Sequence, residues 1–239
     1  MFDPELPTRP RTPRQPRSRD TEERILRAFG ELLAESRFED VSVQQVAGRA
    51  GVSVGGFYAR FGSKDDALLH LMYAGYVRDA LALAETALDP ERWRGAGIAP
   101  IAHAYFELML QAANAHTGVL REIVSRTRVN PDAVAGNAAW AAFRAGVREP
   151  FRQLMAERMA EVQHPDPPLA LRFAFAACSS ALREAALFGH MEPSMGPIDA
   201  LTMARELARM FCRYLGVPFT DADAIIPNPI PLSLQENQP

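Results

Sequence analysis

The chain has 239 residues, enough for one large domain or a small domain joined to a larger one. Apolar residues make up 48% and charged residues 23%, the composition of a globular protein rather than a disordered or fibrous one. A net charge of −3 excludes a uniformly basic nucleic-acid binder and moves attention to how the charge is distributed.

Residues 1–19 form an arm with prolines at 4, 7, 10, 13 and 16. That spacing favours an extended polyproline conformation and opposes a helix, so the arm is expected to be disordered in the free protein. It carries Arg9, Arg11, Arg14, Arg17 and Arg19 against Asp3 and Glu5. It reads either as a basic tail following a DNA backbone or minor groove, or as a solvated leader without a role. No apolar core of a secretory signal is present, and no apolar run reaches the ~20 residues of a membrane span. A cytoplasmic location is therefore expected.

A first helix is expected from Asp20 or Thr21, with Asp20 as cap and Glu23 at the capping-box position. Ile25, Leu26, Phe29, Leu32 and Leu33 form its apolar stripe. Phe38 and Val41 in the connection are expected to fasten it to a second helix. The stretch Val41 to Lys64, VSVQQVAGRAGVSVGGFYARFGSK, organises the rest. Ser42 and Gln45 make a capping box, and Val43, Val46, Ala47 and Ala50 share one helical face. Gly51 breaks the helix. Ser53 caps a third helix running to about Arg60, and Ser63 caps a fourth. Two short helices joined by a glycine turn have the sequence form of a helix-turn-helix. The window holds Arg49, Arg60 and Lys64 and no carboxylate, inside an acidic chain whose only lysine is Lys64. A helix bound for the major groove avoids carboxylates because phosphate repels them.

Val41 to Leu69 resembles the DNA-binding half of the tetracycline-repressor (TetR) family of bacterial regulators. The resemblance rests on the Ala-Gly-Val-Ser turn, the Phe-Tyr-x-x-Phe of the recognition helix and the Ser-Lys-Asp opening of the next helix. With the first helix it covers about a third of the chain. It implies that Tyr58 and Lys64 hold phosphates and that Val54, Gly55 and Ala59 face the groove. Ser42 and Ser53 cap helix N-termini that attract phosphate. Arg49 and Arg60 are phosphate-gripping candidates or solvated side chains, and Tyr58 has core packing as its alternative. The family often has Thr or Ser where this chain has Gly56. The change implies closer backbone approach to DNA, or a glycine pair tolerated because the helix is short.

The fourth helix is expected from Lys64 to about Leu88, ~36 Å long and longer than a three-helix head requires. Prolines and glycines then mark a loop to Pro100. Further helices are expected near 98–115, 118–129, 131–162, 168–189 and 197–215, with a kink near Gly146 or Pro150. The segment 98–162 offers His103, Phe106, Met109, Trp140, Phe143 and Arg144 for an apolar effector pocket, or for an ordinary helical core. The helix at 168–189 is rich in small residues. The resemblance implies a dimer through the last two helices, with Phe173, Ala177, Ala181, Met210 and Tyr214 as candidates, against packing inside one subunit. Residues 217–239 are a proline-rich tail expected to lie extended or disordered.

Cys178 and Cys212 have no CxxC or Cys/His spacing, so two structural thiols are expected rather than a redox pair or metal site. The five histidines are scattered, and no HExxH, GxSxG or P-loop is present. No catalytic residue, metal or cofactor is expected. The reading is an all-α protein with a DNA-binding head at 20–66 and a helical ligand-binding and dimerisation body at 67–216. Its expected partners are palindromic double-stranded DNA, a second copy and a small apolar effector, acting through repression. The alternatives are a helical enzyme or carrier with an incidental helix-turn-helix, and an activator or architectural DNA binder without a ligand.

Overall fold

The computed structural model of the chain describes residues 16–129, 138–188, 196 and 198–224. Among them all regular structure is helical. The α-helices are α1 (Pro16–Glu35), α2 (Val43–Ala50), α3 (Val54–Tyr58), α4 (Lys64–Met72), α5 (Arg78–Ala87), α6 (Ile98–Ala115), α7 (Thr117–Val129), α8 (Ala138–Phe143), α9 (Glu149–Ala156), α10 (Pro167–Phe188) and α11 (Ala200–Leu215). The chain divides into two compact units, one ending at Val77 and resuming over His116–Ala141, the other made of Arg78–Ala115 and the remainder. This division differs from a boundary at 66/67, because α7 packs with the head helices α1 and α4.

The core of the first unit forms on the expected stripe of α1: Ile25, Leu26, Phe29, Leu32 and Leu33 are all buried. Helix α1 begins at Pro16, four residues before the expected cap. Proline is well tolerated at a first helical position, where its missing N–H has no partner to lose. Asp20 is thus not a cap; it lies inside the helix, with Arg24 Nε at 3.4 Å one turn on. The arm expected over 1–19 is therefore helical from Pro16, and residues 1–15 lie outside the described residues. Helix α7 reaches α1 through Gly118, where an added Cβ would stand 2.2 Å from the Leu33 carbonyl oxygen.

The expected long fourth helix runs without a gap from Lys64 to Ala87, with a π-helical turn at Tyr73–Val77 between its α-helical parts α4 and α5. The His116 ring presses on the bare backbone of Gly75, where a Cβ would meet it at 2.9 Å. The Tyr76 ring meets the same imidazole edge-on, with centroids 6.4 Å apart.

In the second unit α6 is the central helix, buried from Ile98 to Phe106 except at Pro100 and flanked by α5, α10 and α11. Tyr105 stacks on Phe151 at 4.0 Å, and Phe106 meets Phe211 at 5.8 Å. Glu161 Oε2 accepts the N–H of Ile98 at 3.0 Å, capping a helix that begins without a side-chain cap of its own. Arg158 ties the preceding loop down by donating to the carbonyls of Trp93, Ala96 and Leu154. The helix expected over 131–162 with a kink near Gly146 or Pro150 runs as α8, a π-helical turn at Arg144–Arg148 and α9, ending at Ala156, with 130–137 outside the described residues. The tail expected to lie free from 217 instead packs at its start. Val217 and Phe219 are buried and a 3-10 turn follows at Asp221–Ala224, while 225–239 lie outside the described residues.

Gly118→Ala is expected to destabilise the protein by about 1–3 kcal/mol, the range for overpacking a rigid contact. A thermal melt checks this, because the neighbouring atom is backbone and cannot swing aside.

Candidate nucleic-acid interface

Helix α2 opens with the expected capping box. Ser42 Oγ accepts the Gln45 N–H at 3.2 Å, and Gln45 Oε1 accepts the Ser42 N–H at 2.7 Å. The helix ends at Gly51 with φ 65°, a left-handed conformation that glycine adopts without strain. Arg24 of α1 donates to the Ala50 carbonyl at 3.1 Å, meeting one of the last free acceptors of α2. Helix α3 then starts at Ser53, whose Oγ accepts the Gly56 N–H at 3.0 Å. It closes at Tyr58, shorter than the expected run to Arg60.

A five-residue helix with two adjacent glycines has little stability of its own. Each glycine costs about 1 kcal/mol relative to alanine. Complete burial of Phe57 offsets this, contributing about 1.5–3 kcal/mol, and Phe61 packs on it at 5.4 Å. The opposite side of α3 is open. Gly55 and Ala59 are exposed, Tyr58 is 54% exposed, and Val54 is half-buried. Tyr58 touches Phe57 edge-on but is not part of the core. At Gly55 the nearest atom to an added Cβ is Ser53 Oγ at 3.8 Å, an ordinary contact. Nothing inside the chain requires that position to be bare.

The cations of the window are all engaged. Arg49 makes a two-pronged pair with Glu35 of α1, both prongs 3.1 Å, and this pairing raises its pKa. Arg60 folds back along α3 and donates to the Gly56 carbonyl at 3.1 Å. Lys64 turns inward. Its Nζ donates to the carbonyls of Phe38 (2.6 Å) and Val41 (2.7 Å) and stands 3.9 Å from the Phe38 ring centroid. Burial, with Arg126 adding to it, lowers its pKa from the usual lysine value. Two of the ammonium's three donors are spent inside the chain. The Arg126 guanidinium, from α7, lies 4.2 Å from the centroid of the same ring and pairs with Asp65 and Glu122. Two cations on one phenylalanine thus fix the connection between α1 and α2. Arg126 was not legible as part of the head, because its only local signal is Glu122 one turn before it.

Residues 25–71 match the family model of bacterial regulatory proteins, tetR family. The head of the chain thus carries the N-terminal region of that family. That region is the one shared by bacterial regulatory proteins of this kind. The family model covers the head, and beyond it the likeness is one of fold. A TetR-family regulator from Mesorhizobium loti is 15% identical, with a TM-score of 0.58 over 84% of this chain and 98% of that one. A transcriptional regulator from a Rhodococcus species is 22% identical, with a TM-score of 0.58 over 82% and 96%. The regulator FadR from Bacillus subtilis, in complex with stearoyl-CoA, is 15% identical, with a TM-score of 0.50 over 79% and 96%. No curated protein matches the sequence.

The expected effector residues are divided between the units. Trp140 falls in the first, whereas His103, Phe106, Met109, Phe143 and Arg144 fall in the second. Phe106 and Phe143 are fully buried, Met109 is half-buried and Arg144 is exposed. His103 is 6% exposed, and its Nδ1 is buried without a hydrogen-bond partner. Burial, with Arg205 acting in the same direction, lowers its pKa. On the last two helices Phe173 is 54% exposed, Met210 45% and Tyr214 40%. Ala177 is exposed and Ala181 half-buried. The Phe173 and Tyr214 rings meet at 4.9 Å, joining α10 and α11 into one apolar surface.

Lys64→Met keeps the stem but removes both donated bonds. A loss of about 1.5–3 kcal/mol is expected by denaturant titration, as for hydrogen bonds from a charged donor. His103 gives a pH dependence with a defined sign. Its folded pKa lies below the ordinary 6.5, so the unfolded chain binds the extra proton. Stability is expected to fall as pH drops below about 6.5. His103→Phe should reduce that decline in melts recorded across the pH range, and an unchanged decline would assign it to other groups.

Proposed function

We propose that the chain is a ligand-responsive repressor that occupies a palindromic operator as a homodimer. The observation that carries this reading is the open side of α3. It exposes Gly55, Tyr58 and Ala59 and holds no carboxylate between Val41 and Lys64. Phosphate meets no repulsion there. Gly55 is bare although the protein has room for a methyl group, which suits a backbone that must come close to another molecule. Val54 and Ala59 are placed to touch thymine methyls, while Ser42, Ser53 and Tyr58 hold backbone phosphates. Arg49, Arg60, Gly56 and Lys64 belong to the same surface. Arg49 reaches phosphate by exchanging Glu35 for it, and Lys64 has one donor left.

Dimerisation is supported by the stripe on α10. Leu169, Phe173, Ala177 and Ala181 recur every fourth residue, and Leu169 and Phe173 are 45% and 54% exposed. Large apolar side chains left in water on one helical face suit a second copy packing across a two-fold axis. Such a dimer presents two α3 helices to half-sites about 34 Å apart, one DNA turn. Effector responsiveness is supported by the fold, since FadR of Bacillus subtilis carries stearoyl-CoA on a similar one. In this proposal the signal enters the head where the chain passes between units at Val77–Arg78, directly after the π-helical turn.

The test is selection of bound DNA from a random pool, followed by binding of the selected site at several salt concentrations. Affinity should fall steeply with salt. Gly55→Ala should stabilise the protein by about 0.5–1 kcal/mol while weakening the selected site. If binding instead strengthened along with stability, the close-approach argument would fail. Phe173→Asp should give monomers in sedimentation and lose the palindromic site.

A further inference from the structure

The second unit contains a groove of about 360 Å³ that none of the expected effector residues lines. Its floor is apolar: Ala84 and Leu88 on the α5 side, Leu154 on α9, and Pro90 and Pro150 at its margins. Its rim is polar and includes the Gln153 amide. The carboxylates of Glu85, Asp89 and Glu157 line it, and no lysine, arginine or histidine does. Glu85 and Glu157 are exposed.

The backbone adds to this. Gly146 lines the groove within the π-helical turn Arg144–Arg148. The Glu149 N–H donates five residues back to the Arg144 carbonyl. The next residue, Pro150, has no N–H to give. The Gly146 carbonyl therefore has no donor four residues on, and Ala145 has none four or five residues on. Gly146 also lets the chain close on α5, since a Cβ there would stand 2.1 Å from Leu81 Cδ2.

Two of the three carboxylates have internal partners. Asp89 accepts the Glu91 N–H at 3.0 Å. Glu157 lies 3.2 Å from Arg158, whose guanidinium also serves three carbonyls. The groove still offers an apolar slot within the usual size range of small-ligand sites. Its edge carries negative charge and repels anions.

We propose that this groove binds an organic cation with an apolar body, an alkyl- or arylammonium in chemical class. The body lies over Ala84, Leu88 and Leu154. The ammonium faces Glu85 and Glu157. This claim does not depend on DNA binding; only the use of such a cation as the effector rests on the repressor reading.

The test is calorimetric titration of the full chain, without DNA, using 4-phenylbutylammonium and 4-phenylbutyrate. The two share a body and differ in the sign of the head. The cation should bind, more weakly as salt rises, and the anion should not. Glu85→Gln and Glu157→Gln should each weaken the cation about fivefold, the upper range for one exposed charge pair. Both sites are exposed, so melts should show the fold unchanged. Equal binding of both probes, no binding of the cation, or affinity untouched in both variants would overturn the proposal. A cation that binds as described while the selected DNA site fails would leave the groove standing and remove only the repressor reading.

Discussion

Helices of eight and five residues, α2 and α3, cannot maintain themselves in water, and the reading head depends on what holds them. The constraint that fixes them is the Phe38 ring. One face of the connection between α1 and α2 is gripped by Lys64 at the start of α4, through two carbonyls and the ring itself. Arg126, from α7, lies against the same ring and reaches Asp65, the residue after Lys64. Cation and ring attract more strongly once water is partly excluded. The result is that the start of α2 is set by a side chain far along the chain, while its end is set by Arg24 of α1. The caps at Ser42 and Ser53 only select where each helix begins.

That arrangement bears on how an acidic protein keeps an open face free of carboxylates. Several carboxylates around the window have partners within the unit. Glu35 is held by Arg49, and Asp65 by Arg126, while Asp66 accepts the Gly62 N–H at 2.9 Å. What remains open on α3 is nearly uncharged. Cationic residues of the window serve the architecture first and any ligand second, which is the reverse of what a charge count suggests.

Glycine has separate uses along the chain. At Gly118 and Gly75 it admits another segment to the backbone, the second within the π-helical turn at Tyr73–Val77. At Gly146 it lets Leu81 in, next to a second π-helical turn. At Gly51 and Gly216 it supplies a left-handed cap. At Gly55 no neighbour inside the chain demands it. The apolar stripe of α10 is similar: Phe173 and Leu169 are not needed to close the core, which Tyr105, Phe106, Phe151 and Phe211 fill.

The sequence by itself determined what depends on neighbours a few residues apart. The caps at Ser42, Ser53 and Ser63, the break at Gly51, the stripe of α1 and the all-helical class are local matters, decided by hydrogen bonds and periodicity within one or two turns. So was the carboxylate-free window. Tertiary structure alone decided the rest. It placed α7 with the head, turned Lys64 inward, set a π-helical turn at Gly75 within the fourth helix and divided the expected effector residues between two units. Each of these turns on contacts between segments tens of residues apart, such as Gly118 with Leu33, Gly75 with His116, and Arg126 with Phe38. Periodicity marks which face of a helix is apolar; it carries no record of which other segment comes to cover it.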